Sequence, residues 1–271
     1  MQKKTIFITG TSSGIGRATV TFFLDKGWNV IATMKNPEKE TEFKTSDSLL
    51  LEKVDVTDSG SIANAWSAGI KKFGKIDAIV NNAGYGLLGP LENTTEEQVR
   101  AQFDVNVLGT INTIRIALPH FRENKGGKII NIASMLGRIT LPFMSTYAAS
   151  KHAVEGLSED LYYELKDFNI QVKVIEPGNI RTDFFQSSLV RAESDKVKVY
   201  DRYWNPYIKN MIARGNAGKD PMLAAKVIYQ AVNDNSTRLR YKVDRTAKML
   251  IFLRKIQPLT FFQWIIRKVV T

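Results

Sequence analysis

The sequence contains no cysteine and only two histidines. Without thiols there is no disulfide framework, no thiolate nucleophile and no cysteine-based metal centre. His120 and His152 lack the spacing of paired metal ligands, and a metal site needs more convergent donors than these two supply; no metal is expected. No run reaches the roughly 20 apolar residues of a membrane-spanning helix, and the apolar stretch 249–253 is cut off by Arg254 and Lys255. The opening MQKK leads straight into a strand-like run without an apolar signal core, so no signal peptide and a cytoplasmic location are expected. Acidic residues are scarce at one end only. From 201 to 271 there are 14 Lys/Arg against 4 Asp/Glu, so most of the net charge of +11 sits there and the first two hundred residues are nearly neutral.

What is present is an ordinary globular balance, 44% hydrophobic and 24% charged over 271 residues, compatible with one α/β domain. Strand-like and helix-like segments alternate. Strands are expected at 5–9, 29–33, 49–53, 78–81, 128–133, 171–176 and 238–243, and helices at 15–26, 59–73, 96–118, 147–168 and 221–233. Such alternation predicts a Rossmann-like, doubly wound and mostly parallel sheet with helices on both faces. Ligands then bind at the strand C-terminal ends, at a topological switch point. The expected division is a catalytic domain over 1–243 and a basic amphipathic extension over 244–271.

Two segments carry chemistry. In SMLGRITLPFMSTYAASK, Ser134 precedes Tyr147, and Lys151 follows four residues later. On a helix, positions i and i+4 share a face, so a cation beside the phenol is expected to lower the Tyr147 pKa and make it a usable proton donor and acceptor. Ser134 is placed to hold the same substrate oxygen. In KKTIFITGTSSGIGRATVTFF, a β-rich run meets Gly10, Gly14 and Gly16 and then a helical pattern. Strand, glycine turn and helix are the context of a dinucleotide fingerprint, with the helix N-terminus receiving phosphate. A structural glycine turn is the plainer reading of that loop taken alone.

Together these segments resemble the short-chain dehydrogenase/reductase family, NADP-preferring type. TGTSSGIG, with Gly10, Ser12, Ser13, Gly14, Ile15 and Gly16, is similar to its cofactor loop. Asp55 and Val56 match its adenine-contacting pair. NNAG, with Asn82, Ala83 and Gly84, matches the signature after its fourth strand. Asn106 in NVLG matches its helix asparagine, and Ser134, Tyr147 and Lys151 its other catalytic residues. PGNIRT, with Pro177, Gly178, Ile180 and Thr182, matches its nicotinamide-side loop. These motifs fall in the family's order from Lys4 to about Thr182, with no departure at a catalytic position. The resemblance implies hydride transfer between a nicotinamide cofactor and an alcohol or carbonyl. It further implies a hydrogen bond from Lys151 to the nicotinamide ribose, a water held by Asn106, and a homodimer or homotetramer.

The cofactor expected is NADP(H), with NAD(H) still open. An NAD site usually carries an acid after the second strand; here Met34 stands in that place and Lys35 follows, a cation suited to a 2′-phosphate. Ser13 leaves the family's other usual basic position unfilled. The resemblance makes 184–220 the substrate-covering region, and Phe184, Phe185, Tyr203, Trp204 and Tyr207 suit an apolar carbonyl or alcohol, or equally a packed core. The segments 244–256 and Leu259–Val270 read as two basic amphipathic helices split by Pro258. Packing on the protein or across an oligomer is the favoured reading for them, with peripheral membrane contact as the other. The charge comes without a nucleic-acid motif, so no nucleic-acid partner is expected.

Overall fold

The computed structural model describes residues 3–182, 189–192 and 197–270. Its centre is a sheet of seven parallel strands: β1 (Thr5–Thr9), β2 (Asn29–Met34), β3 (Leu49–Lys53), β4 (Ala78–Asn81), β6 (Gly127–Ile132), β7 (Ile170–Glu176) and β9 (Arg240–Lys242). The order across the sheet is β3-β2-β1-β4-β6-β7-β9. From β1 the chain moves outward to β2 and β3, then returns to β4 on the other side of β1 and proceeds to β9. That reversal between β1 and β4 is the switch point of a doubly wound sheet.

The central strands β1, β2, β4 and β6 are largely apolar because both faces of the sheet are covered. On one face, Ile6, Ile8, Val30 and Val80 pack with Phe23, Ala224 and Ile228 from helices α1 (Gly14–Asp25) and α7 (Pro221–Asn233). On the other, Phe7, Ile31, Ile79 and Ile129 pack with Trp66, Ile114 and Leu161 from α2 (Ser59–Phe73), α4 (Gly109–Glu123) and α5 (Ser145–Glu164). Local signals end these elements. Thr95 forms a capping box with Gln98 at the start of α3 (Glu96–Phe103), and the Asp220 carboxylate accepts from Met222 N ahead of Pro221.

The departures from expectation have local causes. The single helix expected over 96–118 is α3 and α4 joined by a π-helical turn, Asp104–Leu108; one inserted residue per turn is invisible to a 3.6-residue periodicity. A second, two-stranded parallel sheet pairs β5 (Gly86–Leu88) with β8 (Leu189–Arg191); three residues are too few to show alternation. In the substrate-covering region expected over 184–220 the longest described element is α6 (Asp201–Asn216), which runs through Pro206. The two C-terminal helices form as expected, α8 (Arg245–Ile256) and α9 (Leu259–Val270). Among the described residues no helix is long and apolar enough to cross a membrane.

Asp244 joins the last helices to the sheet. Buried to 4% exposure, its carboxylate accepts from Thr246 N (2.9 Å) and Ala247 N (3.1 Å) at the start of α8, and from Gly178 N (2.6 Å) beyond β7. A Cβ at Gly178 would collide with that carboxylate. Asp244→Ala leaves three donors without this acceptor and is expected to cost about 2 kcal/mol, read as a lower denaturation midpoint by circular dichroism; an unchanged midpoint would show that water replaces the cap.

Candidate active site

A cavity of about 920 Å³ opens along the C-terminal ends of the strands. It runs from Met34 and Val54, past Gly10 at the end of β1, to Ser134 and Pro177 beyond β6 and β7. Of the residues expected from sequence, Gly10, Ser12, Ser13, Gly14, Ile15, Lys35, Val56, Asn82, Ala83, Gly84, Ser134, Tyr147, Lys151, Pro177, Gly178, Ile180 and Thr182 line it. Gly16, Asp55 and Asn106 do not, and each acts from behind the wall.

The glycine loop exists because backbone must approach backbone. Gly10 has φ +68, and a Cβ there would lie 2.8 Å from Ala83 Cα. A Cβ on Gly16 would run into the Gly10 carbonyl. Asn82 ties the loop down, its Nδ2 donating to Thr9 O (2.9 Å) and Gly10 O (2.8 Å). Ser13 precedes α1 without a side-chain cap bond, so the first N–H groups of that helix face the cavity with their partial positive charge available. A glycine-cradled, uncapped helix start fits the pyrophosphate of a dinucleotide.

At the far end of the strands, Lys35 does not point into empty solvent. Its Nζ lies 2.9 Å from the Asp55 carboxylate. Burial alone would raise the Asp55 pKa, but the Lys35 bond and the Thr57 hydrogen bonds outweigh it and hold the carboxylate below its ordinary value. Asp55 therefore holds Lys35 at the wall. Lys39, from a single 3-10 turn Pro37–Lys39, also lines the cavity; sequence reasoning missed it because its reach depends on that turn. No acid lines this end among the described residues.

The Tyr147–Lys151 pair is buried. Tyr147 is 8% and Lys151 6% exposed. Burial pushes the Tyr147 phenol up to about 12, opposed by its hydrogen bond with Ser134. Burial pushes the Lys151 ammonium down to about 8. The Tyr147 shift is therefore upward, opposite to the lowering expected from a neighbouring cation, because burial of the phenol dominates. The ammonium sits 5.9 Å from the phenol ring centroid and donates to Ile132 O at 2.9 Å. Ser134 is held in turn, its Oγ accepting from Leu136 N at 3.1 Å.

Asn106 occupies the π-helical turn, 1% exposed. Its Nδ2 donates to Tyr85 O and Ser150 Oγ, both at 3.0 Å, and its Oδ1 accepts from Tyr85 N at 3.1 Å. Both amide protons are committed, leaving one Oδ1 lone pair for a water. A Cβ built on Gly84 would lie 3.0 Å from Asn106 Oδ1 and 3.6 Å from Lys151 Nζ. Asn106 and Lys151 thus flank the same glycine.

The rest of the wall comes from late in the chain. Tyr207, Asn210, Met211 and Arg214 of α6 line the cavity, with Leu250 of α8 and Ile265 and Ile266 of α9. The helices expected either to pack on the protein or to meet a membrane thus wall the cavity, and Phe262 and Tyr147 share one apolar cluster. Of the aromatics singled out from sequence, Tyr207 lines the cavity, Trp204 is buried against Phe143 (ring centroids 5.4 Å apart), and Tyr203 is 48% exposed. Phe184 and Phe185 lie outside the described residues. The two histidines sit in helices, His120 accepting from Ile76 N and His152 bonding Ala148 O.

Comparison with known proteins gives the class. The short chain dehydrogenase family model matches residues 4–192. An uncharacterised oxidoreductase of Bacillus subtilis (strain 168) is 34% identical over 278 residues, covering 99% of both chains. A 3-ketodihydrosphingosine reductase of Bacteroides thetaiotaomicron is 39% identical over 184 residues, 68% of this chain and 66% of that one. Among solved structures, a short-chain dehydrogenase from Streptomyces avermitilis superposes with TM-score 0.84 at 31% identity, covering 98% of each chain. ElxO with NADP bound superposes with TM-score 0.74 at 26% identity, covering 91% of this chain and 99% of that one. The protein belongs to the short-chain dehydrogenase family and is an oxidoreductase of that fold.

Burying a charged Lys151 opposes folding at low pH. Its folded pKa near 8 lies below the roughly 10.4 of an unfolded lysine, so between these values the unfolded chain binds more protons and stability rises with pH. The gain from this group is about 2–3 kcal/mol between pH 8 and 10. Denaturation of cofactor-free protein across that range should show it, and Lys151→Met should flatten the curve; parallel curves would mean the ammonium is not desolvated.

Proposed function

We propose that the protein is an NADP(H)-dependent oxidoreductase interconverting a ketone or aldehyde and the corresponding alcohol on a lipophilic substrate. The single observation that carries this reading is the convergence of Ser134, Tyr147 and Lys151 on one cavity with the glycine loop. Bound nicotinamide supplies the hydride in reduction and accepts it in oxidation. In reduction, Tyr147 gives its phenolic proton to the developing alkoxide oxygen, which Ser134 Oγ also holds. A phenol that resists ionisation in the buried site stays protonated and ready to donate. Lys151, close to its own titration point, returns a proton toward the phenol, and the Asn106–Gly84 corner positions the water through which that proton is replaced. The alcohol direction uses the same groups in reverse.

NADP(H) is favoured over NAD(H) by the two cations, Lys35 and Lys39, that line this end, where the acid Asp55 is paired with Lys35 behind the described lining residues. ElxO, at 26% identity, binds NADP. Lys35 would pair with the 2′-phosphate, either leaving Asp55 or donating to both anions. A lipophilic substrate is supported by the wall of Leu141, Met211, Leu250, Ile265 and Ile266, and by the sphingoid-ketone reductase among the relatives. The expected assembly, a homodimer or homotetramer, rests on family habit.

Tyr147→Phe is expected to lower turnover by about 10²–10⁴-fold, with NADPH affinity nearly unchanged in a fluorescence titration. Substantial residual turnover would remove Tyr147 from the role of acid. Titration of the wild type with NADPH and NADH should favour NADPH, and Lys35→Gln should weaken NADPH by about ten-fold, the value of one charge-assisted hydrogen bond, while leaving NADH unaffected. Equal losses for both cofactors would place Lys35 away from the 2′-phosphate.

A further inference from the structure

A second cavity, about 640 Å³, lies on the outer side of α9. It is walled by the loop 138–142 and by the start of α9, and it shares Leu141 and Ile266 with the catalytic cavity. Three arginines line it, Arg138, Arg254 and Arg267, with no acidic side chain among the described lining residues. Arg254 lies with its guanidinium 6.0 Å from the Phe262 ring, and Arg138 leans 3.7 Å from a Glu155 oxygen.

The mouth of this cavity is apolar and exposed. Leu259 and Trp264 line it and are 49% and 55% exposed. Phe261, 46% exposed, stacks on Trp264 with ring centroids 5.8 Å apart. On α8, Met249, Phe252 and Ile256 are also more than half exposed, at the i, i+3, i+7 spacing of one helix face. Folding alone does not leave stacked aromatics and large aliphatics in water without a partner. The stretch from Arg245 to the C-terminus carries six Lys/Arg and no acid.

We infer that α8 and α9 form a docking surface for an anionic lipid bilayer, with a headgroup phosphate seated among Arg138, Arg254 and Arg267 and the Phe261–Trp264 pair in the acyl boundary. The charge selects this occupant. A second copy of the chain would bring the same cations face to face, whereas an anionic membrane complements them. Aromatic and aliphatic groups interleaved with Lys and Arg on short helices match the way amphipathic helices lie in a membrane interface. The inner side of α9 contributes Ile265 and Ile266 to the catalytic cavity, so a substrate dissolved in the bilayer would meet the helix that walls the site. The docking surface does not depend on the reductase reading.

The test is flotation of the full chain with vesicles of phosphatidylcholine alone, and of phosphatidylcholine mixed with phosphatidylglycerol. Binding to the anionic vesicles only, weakened by raised salt and by roughly five-fold in Arg254→Gln, is the expected result. Brominated acyl chains should quench tryptophan emission in the wild type and not in Trp264→Phe. NADPH titration of each variant checks that the fold and cofactor site persist and reports on the oxidoreductase reading separately. Absence of vesicle binding at low salt would overturn the proposal. So would binding that ignores both substitutions, equal affinity for soluble glycerol phosphate (a free-anion site), or light scattering showing a dimer that Trp264→Phe dissolves.

Discussion

The site depends on two backbone segments touching where the chain reverses direction across the sheet. The end of β1 and the residues after β4 come together at Gly10 and Ala83, so closely that a single methyl on Gly10 has no room. Asn82 clamps this contact with two bonds to the β1 end. On one side of it Met34, Lys35 and Val56 line the cavity, the end the proposed function gives to the adenosine half of the cofactor; on the other, Ser134, Tyr147 and Lys151 line the end it gives to the reacting half. Loosening the contact would shift the two halves relative to each other, and a hydride-transfer site tolerates little misplacement.

Burial is the second organising force. The parallel sheet packs apolar side chains on both faces and fixes the strand ends; β6 and β7 deliver Ser134 and Pro177-Gly178 to the cavity. The same dryness holds the Tyr147 phenol protonated and drives the Lys151 ammonium toward neutrality. These are opposite displacements on an acid and a base from one cause: burial favours the neutral form of each, so the two do not sit as a permanent ion pair. Asp55 and Asn106 extend the arrangement from behind, one holding Lys35 and the other fixing Tyr85 beside Gly84.

The sheet and its switch point are readable because apolar runs and helical periodicities are long signals, and β9 (Arg240–Lys242), at the sheet edge, falls within the strand expected over 238–243, where Leu239, Tyr241 and Val243 alternate with basic residues. The motif residues were readable because local spacing carries them: a glycine turn, an i,i+4 Tyr–Lys pair. What stayed hidden is set by distance in sequence or by single-residue geometry. Lys39 reaches the cavity only through a one-turn helix, and the π turn at Asn106 is one residue of slippage. Asp244, bonded to a backbone amide 66 positions earlier, reads in sequence as an ordinary helix cap. The sign of the Tyr147 shift was misread because proximity of a cation is visible in sequence and desolvation is not. Tyr203, Trp204 and Tyr207 look alike in sequence, and tertiary packing alone sends one to solvent, one to the core and one to the cavity.

The placement of Leu250, Phe262, Ile265 and Ile266 has a further consequence. Leu250, Phe262 and Ile266 pack in the apolar cluster that holds Tyr147, and Ile265 lines the same cavity. In the proposed function they set the local dielectric around the proton transfer. Substitutions in the last thirty residues that admit a few waters would bring the phenol and the ammonium back toward their solution acidities and move the optimum pH, with every titrating residue left intact. The C-terminal helices therefore offer evolution a way to retune proton transfer and substrate fit together, without altering the residues between Lys4 and Thr182 that make the chemistry recognisable.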